Sequence, residues 1–194
     1  MSDDPDPCRS NENPRISVAV TLLDPDWPQA VPAVENLARR AAEAALAAAA
    51  DSGAAKDVFS ARDAEISLVL ADDATLRRHN RDYRNIDKPT NVLAFAVAET
   101  PGAVEMPGES EGPLLLGDVL LARETLAREA REQGKRPADH FCHLVVHGVL
   151  HLLGQDHESE TEARVMERLE IAALGRLGVA DPYAADPYAA AVVS

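Results

Sequence analysis

The chain has 194 residues, the length of one domain rather than two. Apolar residues at 46% suffice for a core and exclude global disorder, whereas aromatic residues at 4% oblige that core to be built from Ala, Leu and Val. A net charge of −14 predicts repulsion from polyanions unless the few cations gather on one face.

Residues 1–14 place Pro5, Pro7 and Pro14 among Asp and Asn and read as a disordered tail ahead of a single domain over 15–180. Ile16 to Leu23 is a β-branched, apolar run and reads as a strand, closed by the turn-forming Asp24-Pro25-Asp26-Trp27-Pro28. Pro32 to Ala50 is Ala-rich, with Val34, Leu37, Ala41, Ala45 and Leu46 at helical spacing, and ends near Gly53. Glu65 to Ala71 is a second strand, after which Asp72 or Asp73 caps a helix carrying Leu76 and several cations. Asn91 to Val97 and Leu114 to Leu121 are two further strands. Residues 99–113, rich in Pro, Gly and Glu, form the loop between them. Three helices close the domain: Arg123 to Gln133, Ala138 to Leu153 stopped by Gly154, and one opened by the capping box Ser159-Glu160-Thr161-Glu162 and running to about Leu174. The repeated DPYAA at the end reads as a flexible tail over 181–194. This order predicts an α+β fold with a mixed sheet of about four strands covered by helices.

Two cysteines, Cys8 and Cys142, are too few for a disulfide framework and fit a reducing compartment. Apolar runs fall short of the roughly 18 residues that span a bilayer. The first residues are acidic and polar, so a cytoplasmic location without a membrane partner is expected.

Chemistry concentrates where His140, His143, His147, His151 and His157 follow one another. A lone helical histidine is usually a hydrogen-bonded core residue, but five in one stretch call for another account. Residues four apart on a helix lie about 40° apart in azimuth and about 6 Å along the axis, so His147 and His151 can converge on one ion. His143 and His151, about 12 Å apart along the axis, cannot share one through bonds of about 2 Å. Gly154 breaks the helix and lets His157 swing back, which predicts a site of His147, His151 and His157 at the helix C-terminal end with a fourth position open to water. Three neutral imidazoles favour one zinc ion, although nickel and copper bind such sets too. The spacing matches the long zinc-protease signature, yet Gly148 stands where that signature carries its glutamate base, so a metalloprotease-like hydrolase becomes the alternative. Asp156 and Glu158 can orient an imidazole or take a proton, or be solvated loop carboxylates. His143 is left outside the site, and Cys142 is read as packing.

A second cluster holds Arg77, Arg78, Arg81, Arg84 and Lys88, with Asp82 and Asp87 among them. A solvated helix face is the ordinary reading. The functional one is a phosphate-facing patch in an acidic chain, with Pro89 enforcing an extended approach to the next strand and aiming Arg84 at a cleft.

Taken together, Asn80-x2-Tyr83-Arg84-x2-Asp87-Lys88-Pro89-Thr90-Asn91-Val92-Leu93-x-Phe95, Leu116-Gly117-Asp118-Val119 and His147-Gly148-x-Leu150-His151-Leu152-x-Gly154-x-Asp156-His157 resemble the YbeY family of bacterial ribosomal RNA maturation endoribonucleases. The match runs roughly from Ile16 to Tyr183, with three motifs in order. Ala94 and Ala96 stand where the family usually has Ser and Pro. The resemblance implies a zinc-type ion on His147, His151 and His157 and a functional arginine at Arg84. It also implies action on single-stranded RNA in 3′-end maturation of small-subunit ribosomal RNA and ribosome quality control, with the ribosome or its proteins as partners. Attack by water and attack by the RNA 2′-hydroxyl both remain open, as does a non-catalytic assembly factor with a structural metal.

Overall fold

The computed structural model describes residues 16–54, 63–97, 113–157 and 159–184. The expectations for residues 1–14 and 98–112, for Cys8 and for Glu158 lie outside them. The elements in chain order are β1 (Ile16–Leu22), α1 (Trp27–Ala30), α2 (Val34–Ser52), β2 (Ala64–Ala71), α3 (Asp73–Arg84), β3 (Val92–Ala96), β4 (Leu114–Ala122), α4 (Arg123–Glu132), α5 (Pro137–Leu152) and α6 (Glu160–Arg176). This is the expected α+β domain with a mixed four-stranded sheet. Its order is β1-β2-β4-β3, with β1, β2 and β4 parallel and β3 antiparallel to β4.

The sheet alternation sets two faces. Ala64, Ile66, Leu68 and Leu70 of β2 point into a large core shared with α2, α5 and α6. On the other face Leu76 of α3 packs with Leu93, Leu120 and Ala122, and Phe95 borders that smaller cluster. The poverty in aromatics has a structural counterpart: Ala38, Ala41, Ala42, Ala45 and Ala49 of α2 are fully buried, so close backbone approach takes the place of large side chains.

Local physics accounts for most boundaries. The Asp72 side chain caps α3 by accepting from the Thr75 backbone N–H at 2.8 Å. Asp73 and Glu124 exchange bonds between two helix starts, Asp73 N–H donating to Glu124 at 2.9 Å and Thr125 N–H to Asp73 at 3.0 Å. The capping box opening α6 forms as expected. The segment read as a simple turn at 24–28 instead contains α1, because burying Trp27 outweighs local turn chemistry. Its indole sits edge-on to Phe141 at 5.4 Å and donates to the Ala71 carbonyl at 2.9 Å.

Two glycines bring the sheet and α5 together. At Gly117, φ is +142° and a Cβ would lie 2.1 Å from the Phe95 carbonyl oxygen. At Gly148, on α5, a Cβ would lie 2.5 Å from Val119 Cγ1 of β4.

Candidate metal centre

Helix α5 is apolar almost all round and lies within the core, its C-terminal turn directed at the edge of β3 and β4. That turn ends at Gly154, whose φ of +76° reverses the chain while Gln155 N–H bonds back to the Leu150 carbonyl at 3.0 Å. The reversal returns His157. Its ring stands 5.7 Å from that of His147 and 5.1 Å from that of His151, and the His147 and His151 rings are 4.6 Å apart. One ring nitrogen from each of the three lies within 4.8 Å of the others. His143 faces away from this set, as the axial spacing required.

The orientation of His147 is set from behind. Glu170 of α6 is only 1% exposed and accepts from His147 Nδ1 at 2.7 Å and from His143 Nε2 at 3.3 Å, and the Tyr183 hydroxyl donates to it as well. Burial pushes this carboxyl up, but the hydrogen bonds from His143, His147 and Tyr183 outweigh it and hold the group down at about 2. An ionised carboxylate can only accept, so Nδ1 of His147 carries a proton and Nε2 is the atom that faces His151. His151 Nε2 lies 3.1 Å from that atom. Burial first, then the neighbouring His147 and His157, push His151 down to about 4, so it is neutral at pH 7 and keeps a lone pair.

Two imidazole nitrogens bound to one ion at about 2.05 Å with a tetrahedral angle would stand about 3.3 Å apart, close to what is found. The three residues fit a divalent metal of the zinc type: three convergent imidazole nitrogens and a carboxylate hydrogen-bonded behind one of them.

In front of the histidines lies an open pocket of about 450 Å³ lined by Arg84, Thr90, Asn91, His147, His151, Asp156 and His157, with Ala94 and Ala96 on its β3 wall. Arg84 is exposed at the last turn of α3. Just after it, residues 85–88 are tied back onto the helix by Asn80, 5% exposed, whose Nδ2 donates to the Lys88 carbonyl at 2.8 Å. Asp156 accepts from the His157 N–H at 2.7 Å. The cation run is less free than its composition suggests: Arg77 pairs with Asp87 at 2.7 Å and Arg81 with Asp82 at 2.9 Å. Cys142 is buried, and burial raises its thiol to about 12, consistent with packing.

Sequence reasoning missed Glu170 and Tyr183. The signal for Glu170 was available, since an acidic residue falls within the apolar stripe of Met166, Leu169 and Ala173 that faces the core. Tyr183 belongs to the segment read as a flexible tail from 181. Its first four residues are described and include a turn, with Tyr183 N–H bonded to Asp181 at 2.8 Å. At position 148, where the protease signature carries its glutamate base, a Cβ would lie 2.5 Å from Val119 Cγ1, so this helix is packed against β4 in a way that a Glu there would disturb.

A family model described as endoribonuclease YbeY matches residues 29–178. The chain belongs to this family. Among the similar YbeY proteins, the Rhodospirillum rubrum endoribonuclease YbeY is 52% identical over 87% of this chain and 82% of its own length. That of Paramagnetospirillum magneticum is 50% identical over 87% and 96%. A solution structure of a Thermotoga maritima protein aligns at 20% identity with a TM-score of 0.47, covering 88% of this chain and 98% of that one. Among the described residues no helix is long and apolar enough to cross a membrane.

Proposed function

We propose that the chain is a metal-dependent endoribonuclease that cuts single-stranded RNA in the cytoplasm, in 3′-end maturation of small-subunit ribosomal RNA and in ribosome quality control. The endoribonuclease name of its family relatives supports the reaction class. The observation that carries the mechanistic reading is the joint lining of one open pocket by three convergent imidazoles and a guanidinium.

His147, His151 and His157 hold one ion, which we take to be zinc. Such an ion supplies Lewis acidity and lowers the pKa of bound water. Arg84 offers a planar pair of donors to the scissile phosphate and stabilises the charge that builds on its oxygens as the P–O bond breaks. Asp156 is the carboxylate among the pocket's described lining residues, which supports its taking the proton of the attacking hydroxyl. Glu170 does not take that role, because it is buried on the far side of His147. The net charge of −14 favours substrate delivery with help from a ribosomal protein partner.

The test is incubation of a defined single-stranded RNA with metal-loaded protein, with metal content measured for each variant. Arg84→Ala is expected to abolish cleavage while retaining metal, and His151→Ala to lose both. A 2′,3′-cyclic phosphate paired with a 5′-hydroxyl identifies attack by the RNA's own 2′-hydroxyl; a 3′-hydroxyl paired with a 5′-phosphate identifies water. Full cleavage by metal-free His151→Ala overturns the site.

A further inference from the structure

On the opposite face of the edge strand β3 from the metal pocket stands a group of rings that the chemistry above does not use. His79 and Tyr83, four apart on α3, stack with centroids 6.0 Å apart and planes at 16°. Phe95 of β3 meets Tyr83 at 5.1 Å and His79 at 6.4 Å. Tyr83 is 69% exposed. A chain with only three Tyr, three Phe and one Trp has set an exposed Tyr83 against the half-buried Phe95, where Tyr83 itself gains little from burial.

We propose that His79, Tyr83 and Phe95 form a stacking platform for unpaired bases of the RNA strand whose backbone enters the metal pocket past Arg84. This inference rests on the endoribonuclease reading and says where the strand is held. Three observations support it. The platform lies next to the site around the edge strand: Tyr83 precedes Arg84 in the chain, and Phe95 lies between the pocket-wall residues Ala94 and Ala96 with its ring on the other face of β3. It is rigid, since Phe95 packs against the smaller core cluster and pairs with Asp118 across β3 and β4. Its charge suits an anionic strand in modest amount. With Arg77 and Arg81 tied to Asp87 and Asp82, the exposed cations of this run without an ion pair among the described residues are Arg78, Arg84 and Lys88.

Three phosphate contacts give a salt dependence of log K near −2 for a single strand. That is too shallow for charge alone to hold RNA on so acidic a chain, and stacking on π-faces is the salt-insensitive remainder. A duplex hides its base faces, so such a platform also favours single strands.

Binding of a fluorescently labelled single-stranded oligouridylate to the full chain, followed by anisotropy in the Arg84→Ala background where the RNA stays intact, tests this. Tyr83→Ala is expected to weaken binding roughly 5- to 100-fold with an unchanged salt slope, while Tyr83→Phe stays within about twofold. Abasic substitution in the RNA should reproduce the loss in the parent and add nothing to Tyr83→Ala. Arg78→Ala should instead flatten the slope by about 0.7. Equal affinity of parent and Tyr83→Ala overturns the proposal, as does a loss that Tyr83→Phe shares or one that abasic RNA fails to reproduce. Loss of ribosomal-protein binding with RNA affinity intact assigns the rings to a protein partner and overturns it too. Cleavage by the wild-type chain reports separately on the endoribonuclease reading, so the two can fail independently.

Discussion

Replacing Glu170 by Gln tests the proposed metal centre without touching the three convergent histidines. The His147 Nδ1 to Glu170 distance of 2.7 Å is that of a charge-assisted bond. A neutral amide oxygen accepts about half as strongly, which removes about 1–1.5 kcal/mol from the preference for the tautomer that bares Nε2. One of three ligands then has to be reoriented by the ion itself, so zinc affinity should fall about tenfold, within the range of about 10–100-fold seen when groups behind metal ligands are changed. The fold should tolerate Gln, because losing anionic hydrogen bonds is offset by no longer burying a charge at a site 1% exposed. Glu170→Ala is different: it strands donors from His143, His147 and Tyr183 and should cost about 1–3 kcal/mol. Competition for zinc against a chromophoric chelator at pH 7.5, with thermal melting of the metal-free proteins, reads both effects. A folded Glu170→Gln protein that binds zinc within twofold of wild type would refute the reasoning.

The neighbouring parts of the site give further expectations. Tyr183→Phe removes one of the donors to Glu170 and should weaken zinc binding less than Glu170→Gln does; an effect as large in the same competition assay would mean that Tyr183 acts by another route. Gly148→Ala forces a methyl group to within 2.5 Å of Val119 Cγ1 and should cost about 1–3 kcal/mol, lowering the melting temperature by several degrees, whereas an unchanged melt would show that α5 can back away from the sheet. The metal-free protein should lose stability as it is acidified. His151 is held at about 4 against an ordinary 6.5, so the unfolded chain takes up its proton first and the contribution present above pH 6.5 is lost on the way down to 4. Glu170, at about 2 against 4.5, adds a second loss between those values. Urea midpoints that stay flat from pH 6.5 to 4 would contradict the His151 assignment.

Periodicity alone reached most elements, since strands and helices here bury faces whose repeats are local and the caps are local hydrogen bonds, as at Asp72 and Ser159. It did not reach α1. Trp27 becomes helical because of Phe141 and the Ala71 carbonyl, partners 114 and 44 residues away in the chain. The same division runs through the metal centre. His147 and His151 were legible as a pair because helix geometry fixes neighbours four apart, and Gly154 marked the reversal that returns His157. No local spacing joins His147 to Glu170, or either to Tyr183, which meet only when α6 and the segment after it pack along α5.

By itself, then, the order of residues determined which imidazoles converge, because that choice is made within one helix and its terminating turn. Only the packed structure decided what stands behind and around them: the buried carboxylate that turns His147, the β4 valine that crowds any side chain at position 148, and the ion pairs that withdraw Arg77 and Arg81 from the free charge. Those are contacts between elements far apart in the chain, set by burial and by complementary charge, for which no sequence period exists.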